Sequence, residues 1–91
     1  MKLSFQDGSL VDYWEGYNFY HKISPQLSQK FYQDFWDSIG KVKANPMQFQ
    51  ERYRKIRIAF LNRFPFGIHY LIKGDRIIVL KILHTRRFLK M

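Results

Sequence analysis

Three short apolar runs near the end of the 91-residue chain limit what it can fold into. They lie within the stretch 54–87, and each has the length of a β-strand: 56–61, 66–72 and 77–83. Asn62, Arg63 and Pro65 interrupt the pattern after the first run, and Gly74 with Asp75 separates the second run from the third. Because Gly accepts the positive φ of tight turns, such a connection is a hairpin signal. The stretch therefore predicts a three-stranded antiparallel meander.

Alternation within the predicted strands divides the meander into two faces, because successive side chains on a strand point to opposite sides. One face is almost wholly apolar and must be covered: Ile56, Ile58, Phe60, Phe66, Ile68, Tyr70, Ile72, Ile78, Leu80 and Ile82. The other mixes basic groups and one histidine with small and apolar residues: Lys55, Arg57, Ala59, Leu61, Gly67, His69, Leu71, Lys73, Ile77, Val79, Lys81 and Leu83. This second face is predicted to be open and cationic, and it is the main functional signal in the sequence.

A first helix is predicted after a turn at residues 7–8. Ser9 followed three residues later by Asp12 resembles a capping box, which would begin the helix near Leu10. Gly16 weakens this helix by roughly 1 kcal/mol relative to Ala, so tertiary packing must hold it. Two neighbouring stripes at helical spacing are expected to pack or to contact a partner: Leu10, Trp14, Tyr17 and His21, and Tyr13, Tyr17 and Tyr20.

A second helix is predicted over residues 25–43. Ser24 suits the N-cap and Pro25 the first helical position, while the Pro at 46 disfavours helix in the residue before it. One apolar stripe runs along this helix: Leu27, Phe31, Phe35, Ile39 and Val42. The short connection makes the two helices antiparallel neighbours, and their joint apolar face is the natural cover for the apolar side of the meander.

The remaining segments complete an α+β fold. Residues 2–5 are expected to form a short strand at the sheet edge, and residues 47–53 a loop with Phe49 against the core. The predicted architecture is an N-terminal helical hairpin packed on a small antiparallel β-sheet, in the order β-α-α-β-β-β. With 46% hydrophobic and 19% aromatic residues, the whole chain 1–91 is expected to form one packed domain.

Composition excludes several classes of site. The chain has no cysteine, so disulfides and thiolate metal sites are excluded, and its three histidines lack the local spacing of metal ligands. We therefore predict no metal and no cofactor. No apolar run approaches the ~20 residues of a membrane span, and the N-terminus lacks the apolar region of a signal peptide. The expected location is the cytoplasm, without membrane contact.

The net charge of +9 is distributed very unevenly. Residues 1–51 contain 5 Lys and Arg against 6 Asp and Glu, whereas residues 52–91 contain 11 against 1. The positive charge therefore lies on the predicted strands and the tail. Such asymmetry favours an anionic partner over a merely soluble basic surface.

The order of elements and several short sequence motifs resemble the RelE/ParE superfamily of toxins from type II toxin–antitoxin systems. The likeness is closer to the ParE-like branch. Together these motifs span nearly the whole chain: Tyr20, Ile23-Ser24-Pro25-Gln26-Leu27, Phe31, Asn45-Pro46, Arg63-Phe64-Pro65-Phe66, Ile68-His69-Tyr70, Gly74-Asp75-Arg76-Ile77-Ile78-Val79-Leu80 and Leu83-His84-Thr85-Arg86-Arg87. The resemblance implies a helical hairpin on a small sheet. It also implies a cytoplasmic bacterial toxin held inactive by a cognate antitoxin in a toxin–antitoxin hetero-oligomer.

The resemblance leaves two targets open. ParE-like members poison DNA gyrase, whereas RelE-like members cut messenger RNA on the ribosome with basic residues on the open face and an aromatic or imidazole group near the C-terminus. Arg57 and Arg87 match two of the basic positions, but Gly67 stands where the catalytic type has an Arg. Phe88 follows Arg87 and cannot exchange a proton. We therefore favour a gyrase-directed toxin without chemistry of its own, with a ribosome-dependent endonuclease as the alternative.

Candidate site residues follow from these arguments. If the protein is a nuclease, the candidates for catalysis are Arg57, Arg87 and His84. Residues predicted to bind the target or the partner are Lys55, Arg57, Arg63, His69, Lys81, Arg86 and Arg87. Trp14 and Tyr17 are predicted to form an antitoxin-binding surface on the helices. His84 reads more readily as a strand-end residue than as a catalyst. The carboxylates of Asp34 and Asp37, one helical turn apart, read as a solvated helix face.

Overall fold

A computed structural model describes residues 1–86 of the chain. Two helices, α1 (Asp7–Ile23) and α2 (Pro25–Ala44), are followed by a short 3-10 helix (Pro46–Gln48). The strands are β1 (Lys2–Phe5), β2 (Glu51–Tyr53), β3 (Ile56–Phe60), β4 (Phe66–Lys73) and β5 (Arg76–His84). They form one sheet in the order β1-β5-β4-β3-β2, with the helices against one face. The predicted α+β fold is confirmed, while a single domain over 1–91 stays a prediction.

The sheet is mixed, which corrects the prediction that it is wholly antiparallel. β3, β4 and β5 form the predicted antiparallel meander, and the predicted edge strand β1 is present. However, β1 pairs with β5 in parallel, with Lys2 beside Arg76 and Phe5 beside Val79. A four-residue strand contains no signal for its direction, because that direction is set by a partner more than seventy residues away.

The prediction of a loop over 47–53 is wrong in its last part. Residues 51–53 form β2, which pairs antiparallel with β3 across a two-residue turn. Arg54 and Lys55 in this turn both have positive φ, 46° and 65°. Two-residue hairpin turns usually carry Asn and Gly at such positions, so this turn has no recognisable sequence signal. Phe49 does pack against the core, as predicted.

The prediction of the two faces is correct for β4 and wrong for β3. On β4, Ile68 and Tyr70 are fully buried under the helices, and Phe66 and Ile72 are packed against that core. Ala59 of β3 and Leu61 just after it join the core, whereas Ile58 and Phe60 lie on the other face. β3 has apolar residues in both registers, so its alternation could not choose a side. The β2–β3 turn and the pairing with β4 make the choice.

A bulge explains the mixed outcome on β5. Lys81 pairs with His69 and Val79 with Tyr70, so Leu80 is an extra residue in β5. Before the bulge, Ile77 and Val79 are in the core, which contradicts the prediction that Ile78 and Leu80 face it. After the bulge, the alternation is shifted by one residue and Ile82 lies in the core as predicted.

Helix α1 begins earlier than the capping box predicts and is hydrogen-bonded to β5 beyond the bulge. The helix starts at Asp7, and the Ser9 hydroxyl lies inside it, donating to the carbonyl oxygen of Gln6 at 2.6 Å. Asp12 instead accepts the backbone N–H of Ile82 at 3.0 Å. That N–H lies just beyond the end of the β1 pairing, so Asp12 supplies the acceptor that a strand would otherwise provide.

Helix α2 follows its prediction closely. The Ser24 hydroxyl caps it by accepting the backbone N–H of Leu27 at 3.0 Å, and Pro25 is the first helical residue. Most of the predicted stripe is buried: Phe31, Phe35, Ile39 and Val42. Gly16 of α1 lies against the Phe31 ring, where an added Cβ would come within 2.9 Å of Cζ. The helices thus approach closely at a position where no side chain fits.

Asp34 is buried, which corrects its assignment to a solvated helix face. Its carboxylate accepts the backbone N–H groups of Asn62, Arg63 and Phe64 at 3.0, 2.7 and 3.1 Å. Asp37, one turn further on, is exposed as predicted. Asp34 therefore joins α2 to the β3–β4 connection, satisfying three donors that no strand partner reaches.

Candidate functional site

The face of the sheet opposite the helices has an apolar centre with cations around it. We call it the open face, formed by Tyr53, Ile58, Phe60, Gly67, His69, Leu71, Ile78, Lys81 and Leu83. Cross-strand pairs place these side chains together, since directly opposed residues point to the same side. The Phe60 side chain is 43% exposed, and the Arg52 guanidinium carbon lies 5.4 Å from its ring centroid.

A buried histidine lies at the centre of the open face. The side chain of His69 is 1% exposed, and its Nδ1 lies 2.8 Å from the Tyr53 hydroxyl oxygen. Burial, with a smaller contribution from the charge of Lys81, lowers the pKa of His69 from 6.5 to about 4. His69 is therefore neutral near pH 7. The Lys81 ammonium lies 5.8 Å from the centroid of the Tyr53 ring, so these three residues form one cluster.

The sequence predicted two members of this cluster and missed the third. His69 and Lys81 were both placed on the open face, and the structure pairs them directly. Tyr53 falls in the predicted loop over 47–53, and it reaches the sheet because residues 51–53 form β2. A run of alternating residues before the Arg54–Lys55 turn is too short to give that signal.

Gly67 leaves no room for a larger side chain. A Cβ at this position would lie 2.7 Å from Cγ2 of Ile58 and 3.4 Å from two carbons of the Phe60 ring. Ile58 and Phe60 thus fill the space in which the catalytic type of the superfamily is expected to carry an Arg. These two residues, wrongly predicted to lie under the helices, therefore account for the Gly at position 67.

Arg57 lies on the covered side of the sheet and not on the open face, which corrects its predicted placement. It pairs with the core residue Tyr70, and its guanidinium donates to the carbonyl oxygens of Phe49 and Met47 at 2.5 and 3.3 Å. A carboxylate oxygen of Glu51 lies 3.4 Å from the same group. Arg57 therefore holds the segment after α2 against β3.

Tyr70 fastens the same segment from the core. Its hydroxyl donates to the carbonyl oxygen of Pro46 at 2.6 Å. Burial raises the pKa of Tyr70 to about 12, with the Arg57 charge acting weakly in the opposite direction. The hydroxyl therefore stays protonated and keeps its role as a donor at any ordinary pH.

The other predicted site residues are dispersed. Lys55 is exposed in the β2–β3 turn, and Arg63 is exposed in the β3–β4 connection. His84 ends β5 with its ring 5.2 Å from that of Phe66, and its Nδ1 accepts the backbone N–H of Arg86 at 3.2 Å. His84 and Arg86 border a groove of about 680 Å³ between α1 and β5. Arg87, like Phe88, lies outside the described residues.

One surface of the helical hairpin presents three aromatic side chains and one leucine to solvent. We call this surface the hairpin patch, formed by Leu10, Trp14, Tyr32 and Trp36, which are 40%, 52%, 45% and 37% exposed. Tyr17 is half-buried next to it, with its ring centroid 5.4 Å from that of Trp14. Trp14 and Tyr17, both predicted to contact a partner, therefore lie together, and α2 contributes two aromatics that the prediction did not include.

Two kinds of feature do not occur in residues 1–86. No group of three or more His, Asp or Glu side chains is close enough together to hold a metal ion. Neither helix in this part of the chain is long and apolar enough to cross a membrane.

Comparisons with known proteins agree with this architecture. The family model described as "ParE toxin of type II toxin-antitoxin system, parDE" matches residues 12–88. A solved structure of the chromosomal ParDE TA system from P. aeruginosa superimposes with a TM-score of 0.81 at 25% identity. The superposition covers 92% of this chain and 95% of that chain. No curated protein matches the chain in sequence.

A helical hairpin on a small mixed sheet, with the family match over most of its length, defines the chain as a toxin of a type II toxin–antitoxin system. Within that class it belongs to the ParE toxin family. The resemblance seen in the sequence is thereby confirmed, and the ParE-like interpretation is favoured over the RelE-like one.

Proposed function

We propose that this ParE-family toxin inhibits growth in the cytoplasm by binding DNA gyrase through its open face. In this proposal the toxin brings no nuclease chemistry of its own. The observation that carries the proposal is the separation of the groups that RNA cleavage would need to bring together. The alternative function is a RelE-like ribosome-dependent mRNA endonuclease.

The described nuclease candidates do not converge. Arg57 pairs with Tyr70 and His84 with Phe66, so they are four residues apart along β4, roughly 13 Å at strand spacing. Stabilising a phosphorane-like charge and moving its proton require donors within hydrogen-bond distance of the same group. Arg57 is also occupied by loop carbonyls on the covered side. This geometry supports a binding toxin over a cleaving one.

The open face has the composition of a docking surface. Its apolar members surround a buried, neutral histidine, while Arg52 and Lys81 provide positive charge beside them. Interfaces of this kind use a few desolvated apolar or aromatic anchors for affinity and charged neighbours for orientation. Phe60, exposed and held under Arg52, is the anchor that this surface offers most prominently.

The antitoxin is proposed to silence the toxin by covering the same open face. A cognate antitoxin segment that is acidic and studded with apolar residues complements both the +10 balance of residues 52–91 and the apolar centre. The hairpin patch provides a second contact area for the same partner, because exposed Trp and Tyr are favoured interface residues. Binding at both surfaces would give the expected toxin–antitoxin hetero-oligomer.

Paired assays distinguish the two functions. Purified toxin is incubated with gyrase and supercoiled plasmid, and separately with ribosomes programmed with a defined message. We expect cleaved plasmid only when gyrase is present and no toxin-dependent cut in the message. Cuts at the ribosomal A site, abolished by Arg87→Ala, would favour the endonuclease and contradict the proposal.

A further inference from the structure

The topology gathers five cations at one end of the sheet. The start of β1 and the β4–β5 turn lie there, because Lys2 and Lys73 each pair with Arg76. The β2–β3 turn lies at the same end. The pairing of Arg57 with Tyr70, extended by two residues, places Lys55 beside Ile72 at the same end. We call this row the cationic edge, formed by Lys2, Arg54, Lys55, Lys73 and Arg76.

The charges of the cationic edge are exposed and uncompensated. All five side chains are exposed, and none forms an ion pair within residues 1–86, where the single ion pair joins Arg57 to Glu51. Asp75, between Lys73 and Arg76, is the acidic residue of the β4–β5 turn. Five positive charges facing one nearby free carboxylate create a strong local attraction for anions.

The row is long enough to face several phosphates of one duplex. Neighbouring strands lie about 4.8 Å apart, so the row from β1 to β2 spans roughly 19 Å across the five strands. The pairing of the strands fixes where both turns lie, so the backbone positions of the five cations are set by the fold. A duplex presents a regular line of phosphates, and neutralising them with Lys and Arg releases counterions.

The surroundings of the edge favour duplex DNA over other anionic partners. The large apolar side chains that are strongly exposed near it are two methionines, Met1 next to Lys2 and Met47 against Arg57. An acidic protein segment is held mainly by apolar and aromatic anchors. The hairpin patch offers several of these, whereas the edge has the two methionines beside it and no exposed aromatic side chain among residues 1–86. Single-stranded nucleic acid needs exposed aromatic rings on which bases stack, and none of the exposed aromatic side chains belongs to the edge.

We propose that the cationic edge binds the phosphate backbone of duplex DNA without reading its sequence. This activity goes beyond the proposed function, because it requires neither gyrase nor antitoxin. It places DNA contact at the end of the sheet and leaves the open face and the hairpin patch for protein partners. A gyrase-directed toxin with this edge could contact the enzyme and its DNA together.

Binding of a fluorescently labelled 20-base-pair duplex to the full chain, followed by anisotropy from 50 to 200 mM KCl, tests the proposal. For five phosphate contacts the logarithm of the binding constant should fall with the logarithm of salt with a slope of about −4 to −5. The variant Arg54→Gln/Lys55→Gln/Lys73→Gln/Arg76→Gln should bring the slope to about −1 and weaken binding at 100 mM by about 100-fold or more.

A matched control removes four positive charges elsewhere. The variant Lys22→Gln/Lys30→Gln/Lys41→Gln/Lys43→Gln alters exposed helix residues and should stay within about threefold of the wild type. If the edge variant loses its cooperative melting transition, Lys73→Gln/Arg76→Gln replaces it and should reduce the slope by about 2. Equal losses in the edge and control variants would show that net charge alone binds DNA and would overturn the proposal.

Competition experiments with unlabelled polyanions test whether the cationic edge prefers duplex DNA to an acidic peptide or single-stranded RNA. Unlabelled duplex should displace the probe, whereas a polyglutamate 20-mer and a single-stranded RNA 20-mer should need about tenfold higher concentration or more. A wild-type slope shallower than −2, or displacement by polyglutamate or single-stranded RNA as efficient as by duplex, would overturn the assignment to duplex DNA.

Discussion

At the scale of single residues, the buried Asp34 has a structural role that helical spacing alone does not suggest. It accepts three backbone N–H groups from the β3–β4 connection. We predict that Asp34→Ala lowers the free energy of unfolding by about 3 kcal/mol, because three donors lose a charged acceptor. Asp37→Ala, one turn away and exposed, should change it by less than about 0.5 kcal/mol. Denaturant titration measures both, and equal effects would contradict the role of Asp34.

Tyr70 and Phe60 test the assignment of the two faces. Tyr70 is fully buried, whereas Phe60 is 43% exposed on the open face. We predict that Tyr70→Ala costs about 3–5 kcal/mol of stability and Phe60→Ala less than about 1 kcal/mol. Urea unfolding of both variants provides the comparison. A larger loss for Phe60→Ala than for Tyr70→Ala would show that the helices cover the other face.

His69 should make the stability of the fold depend on pH in a defined window. Its folded-state pKa of about 4 lies below the unfolded value of 6.5, so below pH 6.5 the unfolded chain binds a proton that the folded chain does not. The contribution of neutral His69 is thus fully present above pH 6.5 and declines as pH falls to about 4. The decline amounts to about 3 kcal/mol, at about 1.4 kcal/mol per unit of pKa.

The variant His69→Gln isolates this contribution, because Gln fills a similar volume and does not titrate. The unfolding free energy of the wild type, measured relative to that of the variant, should fall by about 3 kcal/mol as the pH is lowered from 7 to 4. A difference that stays constant across this range would mean that His69 does not titrate with a lowered pKa.

At the scale of elements, the β2–β3 turn holds the non-glycine residues of the described chain that have positive φ. Arg54 and Lys55 both occupy the left-handed region, which costs an ordinary residue about 1–2 kcal/mol. We predict that Arg54→Asn/Lys55→Gly raises the stability by about 1–2 kcal/mol, because these residues suit both turn positions. Thermal melting against Arg54→Gln/Lys55→Gln, which removes the same charges without relieving the backbone, checks this. An equal gain in both variants would assign the effect to charge.

Sequence patterns predicted elements well where several local signals agreed. Helix α2 has a capping Ser24, a Pro25 and a regular apolar stripe, and it forms as predicted. β3 has apolar residues in both registers, so alternation assigned its faces wrongly. β5 contains a bulge for which the sequence has no signal, so alternation also failed on part of that strand. β1 was found but not its direction, because that depends on pairing with β5. These errors all concern long-range strand pairing, about which local propensity contains no information.

At the scale of the whole molecule, the uneven distribution of charge along the sequence corresponds to different surfaces on the helices and on the sheet. The helices provide the hairpin patch, and the sheet provides the open face and the cationic edge. The sequence predicted that cations lie on the strands, and it placed His69 and Lys81 together. It could not predict that Arg57 is turned to the covered side or that Tyr53 reaches His69, because both depend on β2.

At this scale we propose that the toxin acts on gyrase through its open face without cleaving nucleic acid itself. The most direct measurement is the fraction of supercoiled plasmid converted to protein-linked linear DNA, as a function of toxin concentration, with and without gyrase. We predict gyrase-dependent conversion for the wild type and a loss of potency of about tenfold or more for Phe60→Ala/Lys81→Ala, which removes an anchor and a charge of that face. Unchanged potency in this variant, or conversion of plasmid in the absence of gyrase, would contradict gyrase binding through the open face.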